Sequence, residues 1–269
     1  LLNSTQLKIV SYLAPNWFWV YEAIAAAISR TLQIDTLLLP SEHDPLNDSS
    51  LIQDEVDVAF ICGLPFIRLY HQLPHLQAIA APVMQLPRYE NRPVYFADVI
   101  VSAASPLKTF ADLENTVFCY NDRGSNSGYN LLLHRLRQGG CPQPFFGTVI
   151  QSGSHQRSIQ WVASGQSDCA AIDSVVLERE LQTQPELAAR LRVIEAIGPC
   201  PMPPLAAAQR LGPLIDSIRA ALRYPDPGLQ QVFQQAGIQH FAAVRSEDYQ
   251  PIAEIYQAVQ GDQLIGKHW

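Results

Sequence analysis

No apolar stretch of this sequence approaches the roughly 20 residues that a membrane-spanning helix needs. No basic stripe is present either. Asp and Glu number 25 against 18 Lys and Arg, for a formal net charge of -7, which argues against nucleic acid as a partner. An acidic chain that binds an anion must do so through local donors, because its overall field works against it. None of the five cysteines (Cys62, Cys119, Cys141, Cys169, Cys200) falls in a Cys-x-x-Cys pair. Cys62, Cys119 and Cys169 lie in or beside apolar runs, so they read as buried free thiols rather than as a disulfide framework or a metal site. His71 and His75 have the i, i+4 spacing of metal ligands, but Pro74 breaks the helix that would align them. No metal site and no cofactor is expected. The Gly-x-Ser-x-Gly elbow of serine hydrolases is missing too, since the centre of Gly124-Ser125-Asn126-Ser127-Gly128 is Asn126. Leu1 is followed by no charged n-region with an apolar h-region, which fits both a removed leader and a trimmed chain.

What the sequence has is a polar loop set between a strand and a helix. Thr116–Tyr120 is an apolar run that predicts a buried strand, and Leu131–Leu136 predicts an amphipathic helix stopped by Gly139-Gly140. Between them lies Asn121-Asp122-Arg123-Gly124-Ser125-Asn126-Ser127-Gly128-Tyr129-Asn130. A helix start offers free backbone N–H groups, and Ser125, Asn126 and Ser127 add side-chain donors, so this loop suits an oxyanion. The pattern recurs. Gly147–Gln151 predicts a strand, followed by Ser152-Gly153-Ser154-His155 and a helix to about Ser164. Cys169–Ile172 predicts another strand, with Asp173-Ser174 opening the next helix. Ser154 and Ser174 are plausible N-caps, and Asp173 suits a cap as well as a ligand contact. Ligands of open α/β sheets bind outside the carboxyl ends of the strands. Ser125, Asn126, Ser127, His155 and Asp173 are therefore expected to share one pocket.

With 269 residues and 48 % hydrophobic content, the chain can form two small domains or one large one. Asp57-Val58-Ala59-Phe60-Ile61 and Asp168-Cys169-Ala170-Ala171-Ile172 share the pattern Asp-x-Ala-apolar-Ile, which suggests two related α/β units or a chance likeness of two buried strands. The first unit reads as strands at Leu7–Leu13, Thr36–Leu39 and Val56–Ile61. A helix capped by Asn16 runs from Trp17 to about Leu32, and another contains Leu64–Leu69. Such alternation predicts a mostly parallel sheet. Val94–Ser102 is extended, and a second unit runs on to about Arg192. After the strand-like Val193–Ile197, Pro199, Pro201, Pro203 and Pro204 predict a rigid irregular segment, and the remainder reads as helices without strands of its own. Those helices would return to the first unit. The expected division is residues 1–95 plus 196–269 as one lobe and 96–195 as the other, with two hinge crossovers and a ligand cleft between them.

The residues also carry a resemblance. Val56-Asp57-Val58-Ala59-Phe60, Pro93–Val101, Ser105-Pro106-Leu107, Phe110-Ala111-Asp112-Leu113, Gly124–Tyr129 and Gly153-Ser154-His155, in this order, are similar to stretches of the phosphate/phosphite/phosphonate-binding proteins of ABC transporters. The resemblance implies the two-lobed type II periplasmic-binding-protein fold, hinge closure on a small oxyanionic ligand, and a transporter membrane component as a possible partner. It implies a monomer in the periplasm or cell envelope, with a cytoplasmic place left open. It further implies that Tyr95 on the crossover, the loop Ser125-Asn126-Ser127-Gly128 and His155 hold the anion. Cys62 and Gly63, at the end of the first Asp-x-Ala strand, and Trp17, in the first turn after the first strand, are further residues expected to line the ligand cleft. Three departures accompany the match: Asn126 replaces a threonine, Ile61 and Cys62 stand in place of a tyrosine, and Val175 and Met202-Pro203 stand near the acids that aminophosphonate binders use. Of the aromatics near the start, Phe18 and Tyr21 read as core, and Arg88 is a possible anion contact or a solvated charge. Two other functions stay open on the residues: a ligand-sensing module, and an enzyme on the same scaffold, either a Ser125/His155/Asp173 hydrolase or a Thi5-like enzyme.

Overall fold

A computed structural model describes residues 6–262 and 264, apart from 42 and 143. Eleven strands are formed among them: β1 Gln6–Ser11, β2 Asp35–Pro40, β3 Val58–Phe60, β4 Leu76–Met84, β5 Val94–Ser102, β6 Val117–Tyr120, β7 Thr148–Gln151, β8 Cys169–Asp173, β9 Leu191–Pro201, β10 Leu205–Ala208 and β11 Ile238–Ala243. The α-helices are α1 Phe18–Leu32, α2 Ser49–Ile52, α3 Gly63–Tyr70, α4 Leu131–Gln138, α5 His155–Ser164, α6 Ser174–Thr183, α7 Pro185–Arg190, α8 Leu214–Arg223, α9 Pro227–Gln235 and α10 Gln250–Ala258.

The chain divides into two compact units. One takes the described residues up to Val94 together with Pro201–Ala253, and the other takes Tyr95–Cys200 together with the described residues from Glu254 onward. The first holds a six-stranded sheet in the order β11-β4-β10-β3-β1-β2 and the second a five-stranded sheet in the order β7-β6-β8-β5-β9.

In the first unit β1 pairs in parallel with β2 and β3, as alternation with helices requires. The expectation of a mostly parallel sheet holds no further, because β10 runs antiparallel to β3 and β4, and β11 antiparallel to β4. The carboxyl-terminal part of the chain is thus not helices alone. It supplies β10 and β11, whose sequences Leu-Ala-Ala-Ala and Ile-Gln-His-Phe-Ala-Ala carry few β-branched residues. Alanine has low strand propensity, yet all four residues of β10 are buried. Small side chains let covering helices approach a central strand closely, and burial decides the outcome. Met202 donates its N–H to the Pro93 carbonyl, so the proline-rich segment leads into β10 in a fixed position.

Helix α1 buries Val20, Tyr21, Ile24, Ala25, Ala27 and Ile28, the spacing of one apolar face. Tyr21 stacks on Phe60 with ring centroids 4.2 Å apart. Asn16 does not cap this helix. Pro15–Trp17 form a 3-10 turn first, and the cap position is Trp17 with no side-chain bond.

The second unit is mixed in the same manner. Strands β6, β7 and β8 are parallel, and β5 is antiparallel to β8. Its core includes Val99, Phe118, Leu132, Phe146 and Val149 on one side of the sheet and Ile100, Ile159, Val162 and Ile172 on the other.

The short repeat is a repeat in three dimensions. Asp57 donates its N–H to the Lys8 carbonyl, and Lys8 N–H returns to the Asp57 carboxylate at 2.7 Å. Asp168 donates to the Val117 carbonyl, and Val117 N–H returns to the Asp168 carboxylate at 2.8 Å. In both units the aspartate precedes a strand and extends a parallel ladder by one rung, satisfying an N–H that the short neighbouring strand leaves over. In the first unit Asp57 also pairs with Arg210, which reaches Asp54 as well.

Candidate ligand site

The second sheet brings several element ends to one edge. Strands β6, β7 and β8 point their carboxyl ends the same way because they are parallel, and Ala97 of β5 pairs with Asp173 of β8, which sets Tyr95 at the same edge. From that edge spring the loop after β6, the start of α5 and the start of α6.

Residues Asn126–Asn130 form a single π-helical turn that runs straight into α4. Ser125 caps it, its Oγ accepting from Gly128 N–H at 3.1 Å. Asn126 is fully buried, and its amide holds the turn down. Nδ2 donates to the Tyr95 hydroxyl at 2.9 Å and to Cys200 Sγ at 3.2 Å, while Oδ1 accepts from Asn130 at 2.8 Å. The Asn126 side chain is therefore committed within the protein, whereas Ser125 Oγ accepts and keeps its own O–H to donate, and the turn adds its leading backbone N–H groups, which have no intrahelical acceptor. Gly128 packs against Asn121: a Cβ there would lie 1.9 Å from Asn121 Oδ1, so that side chain would have to move.

Ser127 and His155 form a buried pair, Oγ to Nε2 at 3.2 Å. Ser154 caps α5, accepting from Arg157 N–H at 3.1 Å, and so fixes His155 in the first turn. His155 Nδ1 is buried and has no hydrogen-bond partner among the described residues. Burial depresses the imidazole pKa to about 4, so the ring is neutral at pH 7.

Asp173 is the N-cap of α6, accepting from Val175 N–H at 2.9 Å and from Val176 N–H at 3.4 Å. Ser174 does not fill that role; its hydroxyl accepts from Phe96 N–H at 3.1 Å and ties α6 to β5. Burial raises the Asp173 carboxyl to about 7, helped by Asp98 and Glu178 and opposed by the two N–H bonds. Ser125, His155 and Asp173 do not form a chain of hydrogen bonds. His155 bonds Ser127, and both Ser125 and Asp173 are occupied as caps. The triad reading fails on that geometry.

In the first unit, Ser11 and Phe60 are paired at the last residues of β1 and β3, so the Trp17 turn and the Cys62-Gly63 start of α3 open from one edge. Gly63 is a packing glycine, since a Cβ would meet Ile252 Cδ1 at 2.6 Å and Tyr249 at 3.3 Å. Cys62 is a half-buried thiol outside any disulfide, at the cap position. Trp17 is buried. Phe18 is half-buried rather than core, and Tyr21 is core.

His71 ends α3, while His75 contacts the Leu51 carbonyl at 3.3 Å and Asp54 at 3.9 Å. Among the described residues no cluster of three or more His, Cys, Asp or Glu is placed to hold a metal. Arg88 lies over the ring of Tyr89 at 5.7 Å. None of the five cysteines is in a disulfide. A surface groove of about 810 Å³ runs along β7 past Arg123 and Trp161, and none of the expected site residues lines it. Sequence reasoning missed Asn130 and Cys200 as supports of the turn. Asn130 had a signal, its i+4 spacing from Asn126; Cys200, 74 residues away, had none.

Comparison with known proteins bears on the family and the fold. A family model described as "ABC transporter, phosphonate, periplasmic substrate-binding protein" matches residues 20–249. No curated protein matches the sequence. The fold is similar to that of a binding protein component of an ABC phosphonate transporter from Pseudomonas aeruginosa, with TM-score 0.81, 19 % identity, and 95 % of this chain and 86 % of that chain covered. It is equally similar to PhnD1 from Prochlorococcus marinus in complex with methylphosphonate, at TM-score 0.81, 18 % identity and coverage of 95 % and 98 %. The alkanesulfonate-binding protein SsuA from Xanthomonas axonopodis pv. citri, bound to MOPS, aligns at TM-score 0.66 and 17 % identity, with 99 % and 96 % covered. These are two-lobed type II periplasmic binding proteins, and the family match over most of the length decides the assignment: this chain belongs to the periplasmic substrate-binding proteins of phosphonate ABC transporters.

Proposed function

We propose that this protein captures a small phosphonate- or phosphate-like oxyanion at the strand-end edge of its second sheet, draws its two units together on it, and delivers it as a monomer to a transporter's membrane component. The observation that carries the reading is the buried Ser127–His155 pair beside the capped turn at Asn126. When Nε2–H donates to Ser127 Oγ, the serine proton is left for a ligand oxygen, and the first backbone N–H groups of the turn supply further donors. Tyr95 and Asn126 act as the frame that holds this turn. Asp173 shapes the preference. A carboxyl near half-ionisation tolerates a ligand that carries a proton or hydroxyl and repels a fully ionised one. No acid stands at the positions where aminophosphonate binders hold the amine, so an aminophosphonate is a poor candidate. The periplasm or cell envelope is the compartment that family membership favours.

Thermal-shift titration with methylphosphonate, phosphite, phosphate, 2-aminoethylphosphonate and a short alkanesulfonate, at several pH values, tests this. Stabilisation is expected with the singly ionised phosphorus oxyanions and should weaken as pH rises through each ligand's own second pKa. Tight, pH-independent binding of 2-aminoethylphosphonate would contradict the ligand class, and no stabilisation by any of the five would contradict the site.

A further inference from the structure

Asn121 is the first residue after β6, and it is held between the two loops that supply Ser127 and His155. Its backbone carbonyl accepts from Gly153 N–H at 3.1 Å and from Gln151 Nε2 at 3.4 Å, which ties it to the loop ahead of α5. Its side-chain Oδ1 packs against Gly128, the neighbour of Ser127 in the π-helical turn. This oxygen is buried and has no hydrogen-bond partner among the described residues. Ser127 in turn bonds His155, whose Nδ1 is likewise buried without a partner. Buried polar atoms are almost always paired. In the tautomer that leaves the Ser127 proton for a ligand, Nε2 carries the ring hydrogen and Nδ1 is an acceptor. An amide oxygen can only accept. Two buried acceptors at one anion site thus lack donors, and an oxyanion whose oxygens are all ionised brings none.

We propose that Asn121 is a ligand-selecting residue whose side-chain carbonyl accepts a hydrogen bond from a hydroxyl of the bound oxyanion. This rests on the reading of the Asn126 turn, Ser127 and His155 as the anion site, and it adds which acids that site takes. A singly ionised phosphonate, phosphite or phosphate offers bare oxygens to the donors of the turn and a P–OH to Asn121. A sulfonate of the same shape and charge has no hydrogen to give, so one of its oxygens would face Asn121 Oδ1 unpaired. Sites built around a hydrogen bond to a hydroxyl reject analogues that lack it, because the buried partner is left unsatisfied. The selection is separate from Asp173. An amide does not ionise, and at pH 6 burial keeps the Asp173 carboxyl, raised to about 7, mostly protonated.

The test is calorimetry of the full chain at pH 6 with methylphosphonate, there mostly the monoanion, and with its isostere methanesulfonate. Wild type should bind methylphosphonate at least about tenfold more tightly, and Asn121→Ala should narrow that ratio about tenfold, chiefly by weakening methylphosphonate. In wild type labelled with 13C, the Asn121 side-chain carbonyl resonance should move downfield on saturation with methylphosphonate. That readout stands even if Asn121→Ala does not fold. Equal affinities in wild type, tighter binding of methanesulfonate, a ratio unchanged in Asn121→Ala, or a carbonyl resonance unmoved by bound methylphosphonate would each overturn the inference and leave the oxyanion site standing. Failure of both probes to bind wild type would overturn the site and this inference together.

Discussion

Asp173 caps α6 with a carboxyl that burial has driven up to about 7, against about 3.9 for a free aspartate. The folded state therefore holds this proton more tightly than the unfolded chain does. The contribution is stabilising below about pH 4 and is lost as pH rises through about 7. Asp173→Asn keeps an acceptor for the Val175 N–H and cannot ionise. Its melting temperature relative to wild type should rise between pH 5 and pH 8, by the equivalent of about 1–2 kcal/mol, and a difference that does not change with pH would refute the assignment. His155 has the opposite sign. Its pKa of about 4 lies below the ordinary 6.5, so its contribution is present above about pH 6.5 and is lost as pH falls through about 4. His155→Gln should show a shallower loss of stability over that window in thermal melts, and an unchanged slope would contradict it. Position was legible at this scale and task was not. The strand–polar loop–helix pattern marked Ser125, Asn126 and Asp173, but N-capping and ligand contact require the same placement. Only the bonds to Gly128, Tyr95 and Val175 distinguish them.

Between residue and fold stand the two aspartate rungs. Asp57 and Asp168 each exchange two hydrogen bonds with the start of a neighbouring parallel strand. Asp168→Ala leaves the Val117 N–H without its acceptor and should cost about 1–3 kcal/mol in urea unfolding. A loss within about 0.5 kcal/mol would make the repeat ornamental. Five residues, Asp-x-Ala-apolar-Ile, were enough to suggest this equivalence, because the aspartate has a backbone duty that recurs with the motif. The elements that were not legible fail for a stated reason. Strand β10 is Leu-Ala-Ala-Ala and β11 ends in Ala-Ala, so neither shows the β-branched or alternating pattern on which strand recognition depends. The turn at Asn126 is a π turn rather than the plain start of α4, which no local pattern announces.

For the whole molecule, the order of strands and helices announced an α/β protein, and the family match establishes which one. The mixed direction of both sheets was hidden, because it depends on where distant segments such as β10 and β11 insert. The proposal that the two units close on the ligand predicts a smaller radius of gyration by small-angle scattering in saturating methylphosphonate, and an unchanged profile would argue for a rigid site. The account's central claim is that the Asn126 turn with Ser127 and His155 is the anion site, and the most direct test is calorimetry of methylphosphonate against wild type and Ser127→Ala at pH 7. The account predicts one site per chain in wild type and binding weaker by about 1–3 kcal/mol in the variant. Equal affinity of the two proteins would contradict it.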